Sequence, residues 1–183
     1  LSKSLKKRRF YEESVDFVTV GNLLHAPNVN SVLRLKKEIW PLIRKRLPQA
    51  NLCIYGAYAP QQILELHNEK EGFLVHGFVN DAFEVLSTAR VLLAPLRFGA
   101  GLKGKLIQAM QTGTPCAMSS VAAEGMFGDL PPNGIIEDTS DAFVARTVAL
   151  YFNASEWEAF QQQGFSILKN RFEKSAHQKR FLN

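Results

Sequence analysis

The sequence predicts an α/β fold: a Rossmann-like three-layer sandwich on a parallel sheet of about six strands. Three observations lead there. Short apolar, β-branched runs alternate along the chain with segments whose apolar residues recur at helical spacing, the order expected of a parallel sheet covered on both faces. Several of the runs stop at a glycine, where a strand would turn toward its helix. The 183 residues, 46% of them hydrophobic, suffice for one such domain with a real core and are too few for two.

The elements follow in order. Val15 to Val20, rich in β-branched and aromatic residues, opens the sheet and stops at Gly21-Asn22. After the loop NLLHAPN, with Asn28 read as an N-cap, Val29, Val32, Leu33, Ile39, Trp40, Ile43 and Leu47 mark one helix face as far as Pro48. Pro41 is expected to kink or split that helix. Asn51 to Tyr55 is a second strand ended by Gly56, and a short helix around Gln61 to Asn68 leads to a third, Phe73 to His76, closed by Gly77. Ala82 to Thr88 reads as a short helix before the strand Val91 to Ala94. The helix after it ends at Gly113, and Pro115 to Met118 and Gly134 to Glu137 are the last strands. Two helices close the chain, Asp141 to Phe152 and Glu156 to Arg171, the second with Ser155 and Glu158 as a capping box. Trp40, Trp157, Phe160, Phe165, Met110 and Met118 are read as core.

Charge narrows the function classes. The 22 basic residues exceed the 17 acidic ones by five, and Lys3, Lys6, Lys7, Arg8 and Arg9 amount to that excess. The folded body is therefore neutral, residues 1–12 read as a basic linker or tail, and 13–183 as the domain. No global basic footprint for nucleic acid is present. The tail leaves peripheral contact with anionic lipid open. Cys53 and Cys116 lack metal-site spacing and read as buried thiols of a reducing compartment, so no metal is expected. No apolar run approaches the roughly 20 residues of a membrane span, and no signal-peptide layout is seen, which makes the cytoplasm the expected location. Starting at Leu1, the chain reads as a piece of something longer.

The most informative stretch is RFGAGLKGKLIQAMQTGTP, Arg97 to Pro115, directly after an apolar strand. N–H groups at a helix start are unpaired and carry the positive end of the helix dipole, so an anion satisfies them, and glycines let it come close. Lys103 and Lys105 are unfavourable there for the helix alone; a bound anion removes the conflict. No Asp or Glu occurs from Val85 to Ala123, so nothing within the stretch neutralises Arg97, Lys103 or Lys105. A solvated surface turn is the plain alternative. Gly99, Gly101 and Gly104 also satisfy the dinucleotide fingerprint, with Glu124 downstream, and Gly99 to Lys105 covers most of a Walker A sequence. The first belongs to an opening βαβ unit, however, and the second needs Ser or Thr where this chain has Leu106.

Taken together, GAGLKGKLIQAMQTGTP, the GN after the first strand, HGFV around Gly77 and SSVAAEGM from Ser119 resemble the C-terminal donor-binding domain of the retaining group 1 glycosyltransferases of GT-B architecture. The resemblance covers about Phe17 to Arg171. It implies one half of a two-domain enzyme that binds a UDP- or GDP-linked sugar, with the N-terminal acceptor-binding domain absent from this chain, no separate cofactor, and a role in cell-surface polysaccharide synthesis. By matching position, Gly21 and Asn22 would face the diphosphate and sugar, and Phe78 and Val79 would meet the base through their backbone. His25 would lie near the donor, and Gly99, Ala100 and Gly101 would line the cradle. Lys103, Lys105 and Arg97 would stabilise the leaving diphosphate, replacing the Arg and Lys that commonly follow the first strand.

The family's glutamate pair, with seven residues between, falls here on Ala100 and Gln108. Gln108 can still accept from one ribose hydroxyl and donate to another. The loss at Ala100 keeps a non-catalytic nucleotide-binding or regulatory module of the same fold as the alternative. Glu124 reads equally as a sugar or ribose contact and as a turn cap.

Overall fold

The computed structural model describes residues 9–173. Six parallel strands, β1 (Asp16–Val20), β2 (Leu52–Tyr55), β3 (Phe73–Gly77), β4 (Ala89–Ala94), β5 (Cys116–Met118) and β6 (Gly134–Ile136), form one sheet in the order β3-β2-β1-β4-β5-β6. The order reverses between β1 and β4. In open α/β sheets that reversal splays the two following loops apart and leaves a crevice beyond the strand ends.

Alternation along the strands builds two cores, as the pleat requires. Phe17, Leu52, Ile54, Val91 and Leu93 face one way, against Leu35, Ile39, Trp40, Ile43, Phe143 and Trp157. Val18, Val20, Leu92, Ala94, Cys116 and Met118 face the other, against Leu86, Leu106, Met110 and Ile167. The first helical layer comprises α1 (Ala26–Arg34), α2 (Trp40–Arg46), α3 (Gln61–Leu64) and α7 (Ser140–Phe152). The second comprises α4 (Ala82–Leu86), α5 (Gly104–Thr112) and α6 (Ser120–Ala123), with the end of α8 (Ala154–Ile167).

Three local expectations are corrected. The first helix starts at Ala26 with His25 as its N-cap, so Asn28 lies inside the first turn. It is split as expected near Pro41, but through a π-helical turn over Leu35–Ile39, in which the Trp40 N–H donates to the Leu35 carbonyl. Pro41 has no N–H to continue the regular ladder, and a wider turn absorbs the gap. At α8 the cap is Asn153, whose Oδ1 accepts from the Glu156 N–H at 3.0 Å, two residues ahead of the Ser155 capping box expected.

Lys3, Lys6, Lys7 and Arg8 lie outside the described residues. Arg9, read with them as solvated, is instead buried, donating to the Ala89 carbonyl at 2.6 Å and to Thr114 Oγ1 at 3.0 Å. Residues 9–14 thus strap the end of the sheet from which β4 enters. Arg90 extends the strap: it bonds the Ser14 carbonyl and, at 2.8 Å, the Tyr151 carbonyl, with its guanidinium 3.5 Å from the Tyr11 ring centroid. Aromatic faces and carbonyls thus solvate both guanidiniums.

Candidate functional site

The loops after β1 and β4 splay apart and bound a cleft of about 590 Å³ at the carboxyl edge of the sheet. Backbone bonds carry the sheet's order into its walls. The Gly21 N–H donates to the Tyr55 carbonyl at 3.1 Å, Leu23 to Ala57 at 3.0 Å and Gly56 to Gly77 at 2.8 Å. Gly56 permits this closeness, since a Cβ there would lie 2.1 Å from the Gly21 carbonyl oxygen. Across the crevice, Gly99 and Gly101 turn the β4 loop with φ of 130° and 78°, conformations that L side chains resist, before α5 begins.

Of the residues singled out in the sequence, Gly21, Asn22, His25, Phe78, Val79, Gly99, Ala100, Lys103, Lys105 and Gln108 all line this one cleft. Gly101 adjoins it, its carbonyl accepting from Lys103 Nζ at 2.7 Å. Arg97 is the exception. It pairs with Glu38, which also accepts from Ser140 and lies 3.6 Å from Arg34 Nε, and it does not line the cleft. The bonds from Arg97 and Ser140 hold the Glu38 carboxyl below its ordinary range. The neutralising acid comes from the π-helical turn, outside the acid-free stretch. Glu124 borders a separate shallow groove with Gly125 and Phe127.

The cleft lining contains no Asp or Glu. Lys103 is the N-cap residue of α5, so the first N–H groups of that helix open beside it. Lys105 is half-buried and borders a small void with Thr19, Val20, Leu23, Val32 and Ile54. Burial first, and Lys103 second, push its ammonium down to about 8. Its hydrogen-bond acceptor is the neutral Asn28 Oδ1, 2.8 Å away. An anion placed between Lys105 and the helix start would restore the lost solvation and raise that value again.

Away from the lysines, the cleft is walled by Tyr55, Ala57, Phe78, Val79 and Ala82. Tyr55 and His76 stack with centroids 4.8 Å apart, while Phe78 is 70% exposed at the rim. Among the described residues no backbone–backbone hydrogen bond involves Phe78 or Val79, which leaves their N–H and carbonyl groups free for a ligand's edge. Among the described residues no cluster of three His, Cys, Asp or Glu side chains could hold a metal ion. No helix among them is long and apolar enough to cross a membrane.

Sequence reasoning missed Asn28 and Tyr55 as cleft residues; the loop at Gly56 is legible as part of the ligand edge, though not its close approach to Gly21. Asn28 was visible in the loop NLLHAPN, but assigning it the helix cap turned it away from the cleft.

Comparison with known proteins adds to this geometry. Residues 14–153 match the model of a family described as glycosyl transferases group 1. No curated protein sequence matches significantly. Among solved structures, a mutant of S. aureus TarM crystallised with UDP matches at a TM-score of 0.76 and 14% identity, over 97% of this chain and 36% of that one. The pneumococcal O-GlcNAc transferase GtfA, in complex with UDP and GlcNAc, matches at 0.70 and 18%, over 91% and 34%. WaaG, a glycosyltransferase involved in lipopolysaccharide biosynthesis, matches at 0.65 and 15%, over 90% and 46%. The chain thus spans between a third and a half of the length of these proteins, and at such identities the likeness is one of fold.

Proposed function

The chain belongs to the group 1 glycosyl transferases, and from that premise we propose that it binds the sugar donor, a uridine diphosphate sugar, for transfer of the glycosyl group with retention of configuration. One observation carries the reading: an acid-free cleft at the point of strand-order reversal, with Lys103 and Lys105 at the start of α5. A diphosphate there meets two ammoniums and the unpaired helix N–H groups. Those groups are fixed before the reaction and stabilise the charge that grows on the leaving diphosphate as the sugar–oxygen bond breaks.

With no carboxylate in the lining, no side chain of that type is available to form a covalent sugar intermediate. Retention without such an intermediate requires the acceptor to attack the face that the diphosphate leaves, and the cations would hold the diphosphate on that face. Uracil presents one N–H between two carbonyls, a pattern that the free backbone of Phe78 and Val79 can match. Guanine presents two adjacent donor groups, which call for a carboxylate that the cleft lacks. The two free cysteines suit a reducing cytoplasm. The fold it shares with WaaG, named for lipopolysaccharide biosynthesis, supports surface polysaccharide as the class of product.

Calorimetric titration of the 183-residue chain with UDP, GDP and uridine tests the donor. UDP is expected to bind more tightly than GDP, and uridine far more weakly than UDP; equal affinity for all three would remove the diphosphate site. Loss of the amide in Gln108→Ala should weaken UDP about fivefold, the value of one hydrogen bond, and leave 2′-deoxy-UDP nearly unchanged. Equal losses for both ligands would take Gln108 away from the ribose. Ala100 favours a second reading, a nucleotide-binding module without catalysis. Glycosyl transfer by the longer protein separates the two.

A further inference from the structure

Asn28 links the two sides of the crevice. Its Oδ1 accepts from Lys105 Nζ at 2.8 Å, and its Nδ2 donates to the Asn22 carbonyl at 2.8 Å. An ammonium can only donate and a carbonyl can only accept, so the two partners leave the amide a single orientation. Asn22 in turn accepts from the Leu24 N–H through its own Oδ1 at 2.9 Å. Gly21 makes room for the arrangement: a Cβ there would lie 2.8 Å from Asn28 Cγ and Nδ2. The first turn of α1, the loop after β1 and the first turn of α5 are thereby tied at one side chain.

We propose that Asn28 is a positioning residue of the donor site, holding the Lys105 ammonium for the diphosphate with an acceptor that carries no charge. The inference rests on the donor reading given above. A carboxylate at this place would hold the lysine equally well but would neutralise it and repel the phosphates. A side chain without an acceptor would leave the ammonium without the hydrogen bond that now holds it. The titratable groups around Lys105 in the cleft are Lys103 from the β4 loop, His25 from the β1 loop and Tyr55 from β2. None of them is a carboxylate: burial and Lys103 disfavour the charged lysine, and the Asn28 amide is the acceptor placed to favour it.

The two variants therefore move the pH dependence in opposite directions. In the wild-type chain UDP affinity is full while Lys105 is charged and falls as pH rises through its titration. Asn28→Asp strengthens the charged form and shifts that fall to higher pH, while Asn28→Ala removes an acceptor and shifts it to lower pH. Both variants lose the bond to Asn22, so the difference between their pH midpoints, as distinct from their affinities, reports on Lys105.

The experiment is calorimetric titration of the full 183-residue chain and both variants with UDP and with uridine, from about pH 7 to about pH 9.5, spanning the expected titration. Near neutral pH, Asn28→Asp should bind UDP about tenfold more weakly and Asn28→Ala about threefold more weakly, with uridine unchanged. Three coincident pH profiles, or equal losses for uridine and UDP, would overturn the role. A wild-type chain that binds uridine and UDP alike would instead overturn the donor reading, and the positioning role with it. Should Asn28→Ala lack the wild-type melting transition, the near-isosteric Asn28→Asp decides alone.

Discussion

Replacing Lys105 by alanine is expected to weaken UDP binding roughly 30-fold while leaving uridine within about twofold of wild type, as befits loss of one charge-assisted contact to phosphate. The same change should flatten the pH dependence of UDP affinity above neutrality, since the group that titrates is gone. It carries an unusual companion effect on stability. Burial and Lys103 hold the ammonium at about 8, below the value of an unfolded lysine, so between these values the unfolded chain binds more protons and the folded chain gains stability as pH rises. Below about 8 the charge is held at a cost. Lys105→Ala should therefore melt at or above the wild-type temperature at pH 7, by calorimetric scanning, although it is impaired in binding. Equal weakening of uridine and UDP, or a marked fall in melting temperature, would mean that Lys105 supports the fold and not the diphosphate.

The largest effect on stability is expected at the opposite edge of the sheet. Trp157 is fully buried, donates its indole N–H to the Arg90 carbonyl at 2.7 Å, meets Tyr11 edge to face at 5.9 Å and lies under the Arg9 guanidinium at 5.4 Å. Trp157→Ala removes the ring, leaves a strand carbonyl without its partner and loosens the strap of residues 9–14. The expected cost is about 4 kcal/mol, a fall of roughly 10 °C in melting temperature for a domain of this size. Because Trp157 does not line the cleft, the folded fraction at low temperature should bind UDP with unchanged affinity. A fall of only a degree or two would mean that the strap contributes little to holding the sheet.

The sheet and most of the cleft were legible because each strand carries a continuous apolar run that ends in a turn signal, a pattern set by local chemistry. The glycines and lysines of the β4 loop were legible for the same reason. What escaped depends on partners far apart in the chain. Arg97 lies in an acid-free stretch, yet Glu38, more than fifty residues earlier, claims it. Arg9 looked like part of a charged tail because the carbonyl and hydroxyl that receive it, at Ala89 and Thr114, belong to other elements. Asn28 was misplaced for a smaller reason. Several polar residues of the first loop could cap the helix, and once His25 took that position the amide was turned toward Lys105.

The position of β1 between β2 and β4 also sets an order of assembly. A nascent chain that has emerged through residue 77 already holds β1, β2 and β3, which can pair, yet one long edge of β1 stays bare until residues 89–94 follow. No ribosome-bound intermediate shorter than this can own a crevice, because its second wall has not been synthesised. During that interval the bare edge of β1 is a template on which another copy can pair, and the arrival of β4 closes it.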